Sequence, residues 1–315
     1  MPERLEEISN SMRETERLCE YDFLIQTSKM LNYIDIPLLL QEVNVLSGYS
    51  LRFLYRYDFP EVYNADIDFI LKNLKKNVGA DFKVFDLHRE SDSLVMVKNF
   101  IEKGLPVLIY PENLLLYQLE EKKVRFFRLF FIESEDIDEI ITRNTKAITI
   151  LEPHALSRDE VYRKDTYKVI IDNFVELFYR GTEEINSTMV YEGREAYSKF
   201  IEDLRNDERS FEEKSKMWFS VAPYAQWTSL NGLLTYFLGV FHFLEKQKQK
   251  IGLGIIRSFD DTITNWKDWG RFVGRDAHMS HGKTVSMEAR RNAANSLERA
   301  LKILEDIALK IKYLY

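Results

Sequence analysis

The sequence contains a single cysteine, Cys19, among its 315 residues. A lone thiol excludes an internal disulfide and a zinc site built from several cysteines, and it is typical of proteins in a reducing compartment. Glycine is also scarce, with 12 residues, whereas aromatic residues make up 13% of the chain. This balance favours long helices and aromatic-rich cores over glycine-rich loops that cradle phosphate groups.

The chain also lacks an excess of positive charge and a long apolar run. Its 44 basic and 51 acidic residues give a formal net charge of −7, which argues against a dedicated nucleic-acid binder. The longest apolar run, residues 230–245, carries Asn231 and His242 and is shorter than the ~18 residues of a membrane-spanning helix. It is therefore predicted to be a buried core helix. Residues 1–14 lack the apolar core of a signal peptide, so we expect a cytoplasmic protein. From the charge and the short apolar run we expect no nucleic-acid or membrane partner, and we expect no cofactor.

The hydrophobic pattern predicts two domains. Apolar residues near the N-terminus recur at steps of three, four and seven, which predicts helices, and two later helices end at Gly48 and Gly79. Strand and helix patterns then alternate as far as Pro153, which is typical of an α+β arrangement. Residues beyond this point show helical periodicity without strand alternation. We therefore predict an α+β domain at residues 1–157 and an all-helical domain at residues 158–315.

Two stretches rich in aromatic and β-branched residues are predicted as strands late in the first domain. They are "KVRFFRLFFIES", residues 123–134, and "KAITILEP", residues 146–153. Each is interpreted as one strand.

Four motifs of the first domain occur in a series that resembles the C39-like branch of papain-fold proteins. They are "KMLNYIDIPLLLQEVNVLSGYSLRF", "FIEKGLPVLIY", "FRLFFIESED" and "ITILEP". More specifically, the series is similar to the N-terminal region of the butirosin biosynthesis protein H family, and "GREAYSKFIEDL" resembles the helix that follows in those proteins. The resemblance implies a papain-like first domain with a cysteine at the start of a helix, a histidine on a strand and an aspartate before a proline.

The positions that match these three catalytic residues carry other side chains. Asp22 stands in the cysteine's place, three residues after Cys19, and Phe126 or Phe127 stands in the histidine's place. Glu152 matches the aspartate. A papain-like reaction needs a thiolate held by an imidazole that also protonates the leaving group. The resemblance therefore implies a site that has lost its chemistry.

The leading hypothesis is a non-catalytic protein that binds a small molecule or a protein partner in this degenerate cleft. The candidate ligand-contacting residues are Asp22, Tyr49, Arg52, Phe127 and Glu152. Asp22 has a second interpretation as a helix N-cap, which contributes about 1 kcal/mol, and the two roles are compatible.

An active enzyme is the alternative hypothesis. In it, Cys19 is the nucleophile of an acyltransferase or amide hydrolase and His154 is its base; His88 is the other histidine in the same predicted domain. The competing interpretation is that Cys19 is a small buried hydrophobe on the apolar stripe of its helix.

The densest polar stretch, residues 266–291, gives two further candidates. His278 and His281 are three residues apart, a spacing that suits two metal ligands and supports a weaker hypothesis of a metal-binding helical protein. Basic side chains of the same stretch could hold a phosphate or a carboxylate: Arg271, Arg275, Lys283 and Arg290. A solvated loop is the ordinary interpretation of such a stretch.

Aromatic residues concentrate between residues 216 and 243. They could contact an apolar or acyl ligand, although such a stripe more often forms a core. A helical domain of this length would also suit a homodimer, but nothing in the sequence specifies one.

Overall fold

The structure, a computed structural model, describes residues 2–15, 22–36, 38–48, 54–56, 61–63, 67–89, 92–151, 174–185, 188–206 and 286–314, together with scattered residues between 254 and 268. The chain divides into two compact units, each made of two segments. Unit 1 comprises Met1–Leu46 and Leu71–Lys164, and unit 2 comprises Ser47–Ile70 and Asp165–Tyr315. The domain boundary predicted between residues 157 and 158 lies outside the described residues.

The helices whose two ends both lie among the described residues are α1 (Pro2–Thr15), α2 (Asp22–Tyr33), α3 (Leu40–Leu46), α4 (Ile67–Val78), α5 (Ser93–Glu102), α6 (Ile137–Arg143), α7 (Gly193–Asn206) and α8 (Met287–Leu314). The predicted stops after α3 and α4 are confirmed, because Gly48 and Gly79 adopt positive φ angles of 71° and 78°. This left-handed conformation ends a helix at little cost only when the residue has no Cβ.

Ten strands are described: β1 (Leu54–Arg56), β2 (Glu61–Tyr63), β3 (Phe82–Asp86), β4 (Val107–Tyr110), β5 (Leu114–Glu120), β6 (Lys123–Arg128), β7 (Phe131–Asp136), β8 (Lys146–Ile150), β9 (Gly181–Ile185) and β10 (Thr188–Glu192). They form two sheets in which every pair is antiparallel. The chain is thus a mixed α+β protein, as predicted, with two antiparallel sheets and a long C-terminal helix.

Unit 1 is built on a six-stranded sheet of order β3-β8-β4-β5-β6-β7. One face forms an apolar core with α5 and α6, to which Val97, Ile101 and Ile140 contribute. The opposite face includes Tyr110, whose ring packs edge-on against Phe23 of α2 with the centroids 6.4 Å apart. The sheet therefore lies between two helical layers.

The predicted single strand at residues 123–134 is wrong, because the chain reverses within it. Strands β6 and β7 pair as a hairpin across the two residues Leu129 and Phe130. Leu129 has a φ angle of 54°, as tight hairpin turns require, but glycine and asparagine are the residues that usually mark such turns. The sequence carries no such marker here, so the turn was missed.

Unit 2 contains a four-stranded sheet of order β2-β1-β10-β9 together with α7 and α8. The prediction that residues 158–315 are helical throughout is therefore wrong at β9 and β10. These two strands are stabilised partly by β1, whose Tyr55 pairs with Tyr191 of β10. A pairing between segments so distant in sequence leaves no local pattern to detect.

The helical periodicity predicted beyond Pro153 is confirmed at α7, which contains "GREAYSKFIEDL", and at α8. Ion pairs join the two helices, with Arg194 Nε lying 2.5 Å from Glu305 Oε1 and Arg205 lying 2.8 Å from Glu298 Oε2. Over the described residues, no helix combines the length and apolarity that crossing a bilayer demands. The apolar run at residues 230–245 lies outside that set.

Candidate functional site

Three polar side chains, Asp22, Gln26 and Lys29, follow one another along α2 at steps of four and three residues. This spacing puts them on one side of the helix. Gln26 and Lys29 both donate hydrogen bonds to the main-chain carbonyl of Leu129 in the β6–β7 turn, at 3.2 Å in the case of Gln26 Nε2. The same Gln26 nitrogen also donates to the carbonyl of Phe127 at 3.3 Å. We call these five residues the Lys29 cluster.

The Lys29 side chain is fully buried at the centre of this cluster. Its Nζ lies 4.4 Å from the centroid of the Phe127 ring and 4.9 Å from that of Phe130. Burial lowers the pKa of Lys29 to about 7, against the opposing effect of the Asp22 carboxylate. Lys29 is thus divided between its charged and neutral forms near neutral pH, and both forms can donate a hydrogen bond to the Leu129 carbonyl.

Asp22 is the first residue of α2, which agrees with the predicted helix start. Its side chain is half-buried. Burial raises the pKa of the Asp22 carboxyl, while a main-chain hydrogen bond at Asp22 and the positive charges of Arg128 and Lys29 act in the opposite direction. The Asp22 carboxylate therefore lies within the electrostatic influence of two cationic side chains.

Phe126 and Phe127, the two candidates for the position that the resemblance gives to a histidine, are each 1% exposed, and Phe126 belongs to the core on the α5 and α6 face of the sheet. Phe127 lies on the α2 face. Its ring stacks on that of Tyr117 with the centroids 4.8 Å apart, so Tyr117 and the Lys29 ammonium group both contact it. The Tyr117 hydroxyl donates to Glu6 Oε1 at 3.2 Å, and burial raises the pKa of Tyr117 to about 12. The Phe127 ring is thus buried in contact with both an aromatic ring and a cationic side chain.

The sheet separates the two strands on which the resemblance places its histidine and its aspartate. Strands β4 and β5 lie between β6 and β8. The register aligns Phe127 with Leu115, Leu108 and Ile148, one residue per strand. Three strand spacings put the position of Phe127 roughly 14 Å from β8. A carboxylate directly after β8 would therefore be too far from the position of Phe127 to hydrogen-bond a base placed there.

Ion pairs between arginines and glutamates stabilise the β6–β7 hairpin on the face of the sheet opposite α2. Arg143 of α6 makes a two-pronged contact with Glu135 of β7, at 2.6 and 3.0 Å, and this arginine lowers the pKa of the Glu135 carboxyl. Arg128 Nε lies 3.3 Å from Glu133 Oε2. The hairpin is therefore fixed on both sides, by the Lys29 cluster and by these ion pairs.

Most of the other residues singled out in the sequence lie outside the described residues: Cys19, Tyr49, Arg52, Glu152, His154, Arg271, Arg275, His278, His281 and Lys283. The enzyme, metal and anion hypotheses that rest on them stay predictions. Within the described ranges, no group of three or more histidine, cysteine, aspartate or glutamate side chains could hold a metal ion.

Arg290 and His88 can be placed. Arg290 is 4% exposed in α8, and its guanidinium donates to the main-chain carbonyl of Asp203 at 3.1 Å. It is thus part of the interior of unit 2 rather than of an exposed basic rim. His88 lies in the exposed turn after β3, at the edge of the six-stranded sheet opposite to β7.

No protein-family model matches this chain, and no curated protein matches its sequence. The likeness to the butirosin biosynthesis protein H family therefore depends on the motifs alone.

The sequence reasoning identified Asp22 and Phe127 but missed Gln26, Lys29 and Leu129. A signal for two of them was present, since a glutamine and a lysine follow Asp22 on one side of an otherwise largely apolar helix. The role of Leu129 depends on a main-chain carbonyl, which no side-chain pattern reveals.

Proposed function

We propose that the protein is a binding protein on a papain-like, C39-like scaffold whose acyl-transfer chemistry has been lost. In this proposal it holds a small molecule or a protein partner at the surface around Asp22 and the β6–β7 turn. The motif series suggests the scaffold, and the contents of the Lys29 cluster support the loss of catalysis.

The observation that carries the proposal is the environment of Phe127. An imidazole in this position would have to take and return a proton during acyl transfer. A phenyl ring has no proton to exchange, and this one is buried between Tyr117 and the Lys29 ammonium group. On the facing helix, Asp22 supplies a carboxylate, which is a far weaker nucleophile than a thiolate.

Lys29 itself could be considered as a nucleophile, because a lysine with a pKa of about 7 is largely activated for attack on a carbonyl. Its burial argues against this role. The side chain has no exposed surface, and its Nζ is bound to the Leu129 carbonyl and covered by two aromatic rings. A carbonyl substrate could reach Lys29 only if α2 and the hairpin separated, so the geometry favours a structural amine and a binding function.

Alkylation of the native full-length chain by iodoacetamide tests the loss of catalysis. We expect the only thiol to react slowly at neutral pH in the folded protein and at the ordinary thiol rate after unfolding in denaturant. The unfolded sample is the control for reagent quality. Fast alkylation of the folded chain, with a thiol pKa depressed below its usual value, would overturn the proposal.

A second measurement uses turnover. Wild-type protein and a Cys19→Ala variant should hydrolyse an activated ester, such as p-nitrophenyl acetate, at the same low background rate. A wild-type rate above background that falls to background in the Cys19→Ala variant would assign a catalytic role to Cys19 and contradict the proposed function.

A further inference from the structure

Strand β7 forms one edge of the six-stranded sheet, beside the Lys29 cluster. An edge strand presents a row of main-chain donors and acceptors to which another strand can pair. Proteins usually protect such edges with charged side chains, proline or a bulge. The six residues of β7, "FIESED", include no proline, the pairing with β6 is regular, and the charged side chains are all acidic, so they repel an acidic strand but not a basic one.

The register identifies which main-chain groups of β7 point outward. The two-residue turn makes Arg128 and Phe131 the closing hydrogen-bonded pair, and such pairs alternate along an antiparallel ladder. Ile132 and Ser134 therefore direct their N–H and C=O groups away from β6. In the part of the chain that the structure describes, these outward groups meet no hydrogen-bond partner.

The side chains at the start of β7 are apolar and exposed. Phe131 is 60% exposed and Ile132 is 42% exposed, and they lie on opposite faces of the strand. A strand added along β7 would cover part of both, so it would gain apolar burial in addition to main-chain hydrogen bonds. This combination is typical of recognition by strand addition.

Charge decides which kind of strand fits. Glu133, Glu135 and Asp136 make β7 acidic, so a second copy of the same strand would bring like charges together across the new pair, which is destabilising. Glu135 is already held by two hydrogen bonds from Arg143, whereas Glu133 is nearly half-exposed and contacts Arg128 through one oxygen at 3.3 Å. A basic side chain of the added strand can therefore pair with Glu133.

We propose that β7 binds an extended peptide segment of alternating apolar and basic residues as a seventh strand of the sheet. Main-chain hydrogen bonds to Ile132 and Ser134 hold the segment, and Glu133 selects a basic over an acidic one. This inference rests on the proposed binding function, for which it names the class of partner.

The experiment uses the full-length chain and two fluorescein-labelled hexapeptides of alternating valine and lysine or valine and glutamate. We expect saturable binding of the lysine peptide by fluorescence anisotropy, at least about tenfold tighter than that of the glutamate peptide. Hydrogen exchange at the amides of Ile132 and Ser134 should slow when the lysine peptide is bound, because those amides become hydrogen-bonded.

Two substitutions and a matched control give the inference its sharpest test. Ser134→Pro removes an outward N–H and should abolish binding, whereas Ser134→Ala keeps that N–H and should bind like wild type. Glu133→Lys should lose the preference for the lysine peptide even if Ser134→Pro fails to fold. Circular dichroism verifies the fold of each variant.

Three outcomes would overturn the inference. They are no binding of the lysine peptide up to about 1 mM, equal affinity for both peptides in the wild type, and full binding by a folded Ser134→Pro variant. None of them bears on Cys19, so a slowly reacting thiol would leave the proposed loss of catalysis standing. A fast-reacting thiol would overturn that proposal whatever the peptides do.

Discussion

The Lys29 ammonium group lies 4.4 Å from the centroid of the Phe127 ring and donates a hydrogen bond to the main-chain carbonyl of Leu129. One side chain of α2 thus contacts both the strand β6 and the turn that follows it. These contacts tie α2 to the β6–β7 hairpin across a sequence separation of about 100 residues.

The buried amine makes stability depend on pH. Unfolded Lys29 keeps its proton up to its ordinary pKa of 10.5, whereas the folded protein releases it near pH 7. The unfolded chain therefore binds more protons between these pH values, so the contribution of Lys29 to the free energy of unfolding rises as the pH rises across this window. At about 1.4 kcal/mol per pKa unit, the whole effect is at most about 5 kcal/mol.

A Lys29→Met variant tests this dependence, because methionine fills a similar volume without the charge. We expect the variant to be more stable than wild type near pH 6 and to approach or fall below it near pH 10. Denaturant unfolding across that pH range measures the difference. An equal slope of stability against pH in both proteins would contradict the lowered pKa of Lys29.

Phe127 should be one of the most costly residues of unit 1 to truncate. Its ring is 1% exposed, so Phe127→Ala should destabilise the protein by about 3–5 kcal/mol through lost burial and a cavity. Phe131→Ala is the matched control on the neighbouring strand, where the ring is 60% exposed, and should cost less than about 1 kcal/mol. Similar losses for the two variants would mean that Phe127 is not packed as described.

Gly193, the first residue of α7, should not tolerate a side chain. Its φ angle is 56°, and an added Cβ would overlap the main-chain carbonyl oxygens of Leu177 and Phe178. Gly193→Ala should therefore cost at least about 1–3 kcal/mol in strain. In Gly254→Ala, a new Cβ meets nothing within 4 Å, so thermal unfolding of that control should differ little from wild type. A Gly193→Ala protein as stable as this control would argue against the described start of α7.

The buried hydrogen bond from the Tyr55 hydroxyl to the Asp203 carboxylate should stabilise unit 2. Tyr55→Phe removes the donor and leaves a carboxylate that is 6% exposed with one hydrogen bond fewer, which should cost about 1–3 kcal/mol. Tyr313→Phe, at a side chain that is 84% exposed, should have almost no effect. Chemical denaturation of both variants compares them, and a neutral Tyr55→Phe change would show that this bond contributes little.

Features that depend on neighbouring residues could be predicted from the sequence. The glycines after α3 and α4 mark helix ends because only a residue without a Cβ adopts their φ angles readily. The helices α7 and α8 could be predicted because apolar residues recur at helical spacing within each of them. Asp22 could be predicted as a helix start because a short acidic side chain favours the first positions of a helix. Each of these signals acts over a few residues of chain.

Features that depend on distant pairing required the tertiary structure. The β6–β7 turn is marked by no glycine and forms because the two arms pair, and β10 pairs with β1 from a segment more than a hundred residues earlier. The lowered pKa of Lys29 follows from its burial against β6 and the β6–β7 turn, which lie about 100 residues away in sequence. Helix periodicity and glycine conformation are properties of the local chain, whereas burial, strand pairing and the electrostatics of the Lys29 cluster arise only when remote segments exclude water from one another.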